Sequence, residues 1–265
     1  MKLEIEGRAL NYQIDGSGED LLLIHGFSDN LNVWYHQLPV FSKNFRVIRY
    51  DLSGSGESNI STEEFAIGLF ANDAYHLLMN TGVKRAYVLG HSLGGLVACR
   101  LAIDHPEMVK GLILANSIPI STVHRPKIRK SSSEILELLE QSNMEKAAEI
   151  IAESGFSPDF KLANPEEFQR YLRVKLSNNP VSLMKLLKCK IEPLDVGRLT
   201  CPVMIVLGEK DLFISAREVT CMQEVLPHLQ FFLLPSGHVS FIELPEKFNS
   251  IVLKFLQNIK CTDTK

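Results

Sequence analysis

The chain has no run of about 18 apolar residues, the least that a membrane-spanning helix needs. Its first residues, Met1-Lys2-Leu3-Glu4-Ile5-Glu6, alternate in character and lack the apolar stretch of a signal peptide. Cysteine is scarce and scattered: Cys99, Cys189, Cys201, Cys221 and Cys261 are odd in number and form no C-x-x-C pair. A disulfide framework or a zinc site is therefore not expected, and reduced thiols in a cytoplasmic protein are. Neither sign of charge dominates, the formal net charge being -3, so neither nucleic acid nor a membrane is expected as a partner. The sequence contains no H-E-x-x-H and no P-loop, and no metal or other cofactor is expected.

What is present is a soluble-protein composition, 45% hydrophobic and 22% charged over 265 residues, enough for one sizeable core. Short apolar runs alternate with helical patterns, which predicts an α/β protein with a mostly parallel sheet. Eight strands are expected near residues 2–6, 8–14, 20–25, 45–50, 86–90, 110–115, 202–207 and 229–234, the first two as an antiparallel hairpin turning near Gly7. Runs such as Val203-Met204-Ile205-Val206-Leu207 are apolar on both faces, as central parallel strands are. Capping-box patterns at Ser61/Glu64 and Ser215/Glu218 predict helix starts, Gly82 a helix end, and Pro245 the first turn of the last helix.

Residues 118–198 interrupt this alternation. Ser131/Glu134, Ser142/Glu145, Asn164-Pro165 and Asn179-Pro180 mark four helix starts, with helices expected near 133–141, 144–154, 165–177 and 180–190. The expected division is a core of residues 1–117 and 199–265 with a helical insertion, 118–198, between strands six and seven.

The sharpest chemical signal is Gly90-His91-Ser92-Leu93-Gly94, between the strand Ala86–Leu89 and a helical run beginning at Leu93. G-x-S-x-G in that setting is a nucleophile elbow, a strained turn that projects the serine hydroxyl beside a helix N-terminus. Alone, the pentapeptide also fits a glycine-rich turn with a chance serine; the strand before it and the helix after it favour the nucleophile.

With Ser92 in that setting, the chain resembles the α/β-hydrolase family along nearly its whole length. His25-Gly26-Phe27 follows the third strand, as the family's oxyanion loop does, and the resemblance implies an oxyanion hole made by the backbone N–H groups of Phe27 and Leu93, with His25 structural. Asp51-Leu52-Ser53-Gly54-Ser55-Gly56-Glu57-Ser58 resembles the family's turn after the fourth strand. Asp211, after the run 203–208, matches the family's acid, with Glu209 as a nearby rival, and His238 in Ser236-Gly237-His238 matches its base. The order Ser92, Asp211, His238 is the one this fold uses.

The resemblance implies a serine hydrolase that cleaves a small carboxylic ester, thioester or lactone through an acyl-enzyme, on a small-molecule acyl substrate. The His25-to-Ser58 segment resembles small esterases, 3-oxoadipate enol-lactonases and cofactor-free perhydrolases. A carbon–carbon bond hydrolase, an acyltransferase and a slow-turnover ligand receptor share the same triad; Val239, where carbon–carbon hydrolases often carry tryptophan, disfavours the first. The insertion resembles the family's four-helix cap, and Phe156, Phe160, Phe168, Tyr171, Met184 and Leu187 are candidates for a substrate pocket or for packing between cap helices. The basic run Arg125, Lys127, Arg129, Lys130 fits either a carboxylate-attracting patch or a solvated loop.

Overall fold

In the computed structural model, which describes residues 1–119 and 130–263, the eight apolar runs are eight strands of one sheet. They are β1 (Lys2–Ile5), β2 (Arg8–Asp15), β3 (Glu19–Ile24), β4 (Phe45–Tyr50), β5 (Ala86–His91), β6 (Val109–Ala115), β7 (Val203–Gly208) and β8 (Gln230–Leu234). Each lies within one residue of its expected position at either end. The order across the sheet is β1-β2-β4-β3-β5-β6-β7-β8. Strand β2 is antiparallel to both neighbours, and every pairing from β4 to β8 is parallel.

The helices are α1 (Leu38–Phe41), α2 (Ile67–Asn80), α3 (Leu93–Asp104), α4 (Lys130–Glu140), α5 (Met144–Gly155), α6 (Pro158–Ala163), α7 (Pro165–Leu176), α8 (Pro180–Leu187), α9 (Ala216–Val225), α10 (Ser240–Glu243) and α11 (Pro245–Asp263). Strand residues feed two buried clusters by turns, as a period of two requires. Leu22 and Ile24 pack with Phe70 and Leu77 of α2 and Leu101 of α3, while Leu21 and Leu23 pack with Phe248, Val252 and Phe255 of α11. Helices therefore cover both faces, and β5 and β7 are buried along their whole length.

Several expected helix starts differ. Ser61 does not cap α2: its hydroxyl accepts from the Glu63 N–H at 3.1 Å in a turn, and the cap position is Ala66. Ser142 takes φ 61° and leaves the cap of α5 to Asn143, whose side chain accepts from the Lys146 N–H at 3.2 Å. Ser131 lies within α4 rather than ahead of it. The insertion after β6 holds five helices among the described residues, not four, because Ser157-Pro158 starts α6. Gly82 and Pro245 stand where expected, Gly82 at φ 75° just beyond the Thr81 cap and Pro245 at the head of α11. Arg125, Lys127 and Arg129 lie outside the described residues.

Strand β3 lies between β4 and β5, so the chain order reverses there. Open α/β sheets place ligands beyond the carboxyl ends of the strands at such a reversal. The loops after β3, β5, β7 and β8, which carry Phe27, Ser92, Asp211 and His238, leave the sheet at that edge.

Candidate active site

Ser92 joins β5 to α3 with φ 50° and ψ -115°, a backbone that an L-residue adopts only when its surroundings enforce it. The enforcement is visible. The Ser92 N–H donates to the Ala115 carbonyl at 3.0 Å, and its carbonyl accepts from the Ser117 hydroxyl at 2.7 Å and the Gly95 N–H at 3.0 Å. A Cβ on Gly90 would lie 2.2 Å from the Gly94 carbonyl oxygen, so only glycine lets strand and helix approach this closely.

The loop after β8 brings His238 to the serine. Its Nε2 is 2.9 Å from Ser92 Oγ, and its Nδ1 is 2.8 Å from Asp211 Oδ2. A carboxylate only accepts, so Nδ1 carries the proton and Nε2 is free to accept from the serine hydroxyl. The Asp211 side chain is fully buried. Its second oxygen accepts from the N–H groups of Phe213 at 2.7 Å and Ile214 at 3.2 Å, and Oδ2 also accepts from the Asn116 amide at 3.0 Å. Burial opposes ionisation of Asp211, but the His238 ring and these donors outweigh it and hold the carboxyl below the usual range. Glu209, the rival acid, is exposed.

Asn116 and Glu243 were not singled out for the site by sequence. Asn116, at φ 46° after β6, donates to Asp211 and, at 3.1 Å, to the Gly237 carbonyl, and accepts from the Ser240 hydroxyl at 2.6 Å. It ties Asp211 to the loop that carries His238. An Asn-Ser pair after a strand carries no signal beyond an ordinary turn. Glu243 accepts from the Gly237 N–H at 2.8 Å and, across the seam, from the Ser157 N–H at 2.8 Å and hydroxyl at 2.6 Å. The Val239 N–H donates to the Gly155 carbonyl at 3.2 Å. The insertion is thus bonded directly to the histidine loop.

The segment after β3 runs beside the serine: a Cβ on Gly26 would lie 3.2 Å from Ser92 Cβ and 2.6 Å from His91 Nδ1. Phe27 and Leu93 are half-buried there, and among the described residues neither backbone N–H donates to a protein acceptor. Leu93 is the first residue of α3, where an unpaired N–H is the rule. His25 is fully buried and structural, bonding the Gly26 carbonyl at 2.9 Å and accepting from the Leu52 N–H at 3.0 Å; burial pushes its imidazole down from the ordinary value.

The six candidate pocket residues do not share one wall. Phe156 stacks on Phe160 at 5.4 Å and meets Phe168 at 6.1 Å and Tyr171 at 5.3 Å, in the cluster that also holds Val239 and Ile242. Met184 and Leu187, on α8, pack against the other cluster. Phe213 was not foreseen; it is exposed, with its ring centroid 4.6 Å from that of His238. No group of three or more His, Cys, Asp or Glu side chains among the described residues is placed to hold a metal ion.

Residues 21–130 match the model of the alpha/beta hydrolase fold family. The sequence is 28% identical to a pimeloyl-[acyl-carrier protein] methyl ester esterase of Yersinia enterocolitica, over 94% of this chain and 98% of that one. The chain has the α/β-hydrolase fold. Among solved structures, it superposes on an enol-lactonase from Burkholderia xenovorans with a TM-score of 0.87 at 22% identity, covering 97% of this chain and 100% of the other. A thermophilic esterase from Thermogutta terrifontis gives 0.84 at 24% identity, covering 97% of each chain. At these identities the two structures speak for the fold.

Proposed function

We propose that the chain is a serine hydrolase of small carboxylic esters, thioesters or lactones, with Ser92 as nucleophile, His238 as base and Asp211 as acid. The observation that carries this is the unbroken relay from Ser92 Oγ through both nitrogens of His238 to Asp211 Oδ2, at 2.9 and 2.8 Å. Ser92 Oγ attacks the substrate carbonyl carbon and its proton passes to His238 Nε2. Asp211 holds the tautomer and balances the imidazolium charge. The carbonyl oxygen becomes an oxyanion facing the N–H groups of Phe27 and Leu93; one such donor is typically worth about 3 kcal/mol to the transition state. His238 then protonates the leaving alkoxide or thiolate, and water, deprotonated by the same nitrogen, releases the acid.

The division into a core of residues 1–117 and 199–265 and a cap of 118–198 is part of this reading, supported by the helices α4 to α8 among the described residues between β6 and β7 and by the bonds of this segment to the histidine loop. The cytoplasm is the compartment that fits the free thiols of Cys99, Cys189 and Cys201. No helix among the described residues is long and apolar enough to cross a membrane. The test is turnover of a panel of short esters, thioesters and lactones by the wild-type chain and by Ser92→Ala. The reading expects turnover of at least one class and its loss in the variant; equal turnover by both proteins would overturn it.

A further inference from the structure

The seam between the insertion and the sheet holds a pair of opposite charges that the triad does not use. Lys175, on α7, and Asp29, in the loop after β3, are both buried and form an ion pair. The ammonium also donates to the Phe27 carbonyl at 3.3 Å and lies 4.3 Å from the centre of the Tyr171 ring. Burying a lysine and an aspartate is costly, and apolar side chains of similar size would hold two elements together as well or better. The pair therefore calls for an explanation in what it touches.

It touches the oxyanion loop. The last turn of α7 and the residues after it bond this loop repeatedly. The Asn178 amide donates to the Ser28 carbonyl at 2.8 Å, and the Asn30 amide donates to the Ser177 hydroxyl at 2.8 Å and the Val174 carbonyl at 3.3 Å. Between them Ser28 is bent into a positive φ of 58°, which sets the peptide plane directly after Phe27. Asp29 in turn faces His91 Nδ1 at 3.5 Å, and His91 Nε2 donates to the His238 carbonyl at 3.0 Å. One buried chain of polar contacts thus runs from the insertion through the oxyanion loop to the residue before the nucleophile and the backbone of the base.

We propose that Lys175 is a positioning residue for the oxyanion hole: its bonds to Asp29 and to the Phe27 carbonyl anchor the chain just after the Phe27 backbone N–H, which lies in the preceding peptide unit, and so hold that N–H in place, making the insertion part of the frame of the active site. The inference rests on Ser92 as nucleophile and Phe27 as oxyanion donor. It separates the roles of the insertion, because loosening this contact acts on the charged tetrahedral state and leaves substrate capture alone.

Lys175→Met alone strands the Asp29 charge in the interior, so the informative variant is Lys175→Met/Asp29→Asn, which removes both charges. Its kcat and KM are measured on a short ester, together with the affinity for butylboronic acid, whose serine adduct places a negative oxygen in the hole. The expected result is a folded protein with kcat lower by about 10–100-fold, KM within about twofold, and boronic acid affinity lower by a factor similar to kcat. Unchanged kcat and boronic acid affinity, or a loss confined to KM, overturns the proposal. Failure of the double variant to fold also overturns it, since the pair would then serve the fold and not the hole. Ser92→Ala is assayed in parallel: turnover surviving there sinks the triad itself, whereas an inactive Ser92→Ala beside an unaltered double variant sinks the Lys175 assignment alone.

Discussion

Besides His238 itself, three donors, the Asn116 amide and the N–H groups of Phe213 and Ile214, orient Asp211 and so fix the direction in which His238 points. Asp211→Asn should fold and lose about 10³–10⁴-fold in kcat, because the amide can no longer hold the productive tautomer. Glu209→Gln, on an exposed side chain, should stay within about twofold; steady-state kinetics on one ester decides, and reversed phenotypes would move the acid to Glu209. Asn116→Ala removes one bond to the acid and one to the Gly237 carbonyl. A hydrogen bond to a charged group contributes about 1.5–3 kcal/mol, so kcat should fall about 10–100-fold with KM little altered. Ser92, Asp211 and His238 were visible in the sequence because each follows a strand in a recognisable short pattern. Asn116 was not, because its partners lie 95 and 121 residues away and nothing local marks it.

Among the elements, the strands were legible to within a residue because the central ones are short, largely buried apolar runs flanked by turn signals, and the edge pair β1 and β2 alternates in a hairpin about Gly7. Helix starts in the insertion were less so. Ser142 and Asn143 are adjacent candidates for one cap, and the asparagine takes it, while the serine absorbs a left-handed turn. The short α6 and α10 give too little periodicity to be read. What sequence could not show was how the insertion attaches. Glu243 ties Gly237 of the histidine loop to Ser157 of the insertion through three accepted bonds. Glu243→Ala removes the one oxygen that accepts from both N–H groups and should lower unfolding stability by about 1–3 kcal/mol, read from urea midpoints. A variant within about 0.5 kcal/mol of wild type would show that the seam does not depend on this carboxylate.

At the scale of the whole molecule, acid should loosen the same seam. Burial resists the Asp29 charge, but the Lys175 ammonium and the His91 ring outweigh it, and the carboxyl is held far below its usual range. A carboxylate depressed in the folded state stabilises above its ordinary value near pH 4 and loses that contribution as pH falls below it. Urea stability should therefore begin to fall below about pH 6.5, where the unfolded chain protonates His25 and His91, whose buried rings resist protonation in the fold, and fall further below about pH 4; Lys175→Met/Asp29→Asn should show a shallower drop in the lower range, and equal slopes there would remove Asp29 from the account. The packed aromatic seam also bears on substrate size. Phe156, Phe168 and Tyr171 are buried among one another and not held open, so acyl chains should gain about 0.8 kcal/mol per methylene only while space lasts. Acetyl and butyryl esters should then exceed palmitoyl esters in kcat/KM, and an optimum at long chains would contradict a closed site. The central claim is that Ser92, set in its strained elbow 2.9 Å from His238, is the one nucleophile. Its most direct test is intact-mass and peptide mapping after reaction with a fluorophosphonate probe. The account predicts a single adduct on the peptide containing Ser92 and none in Ser92→Ala; an adduct that persists in Ser92→Ala, or one that maps to another residue, would contradict it.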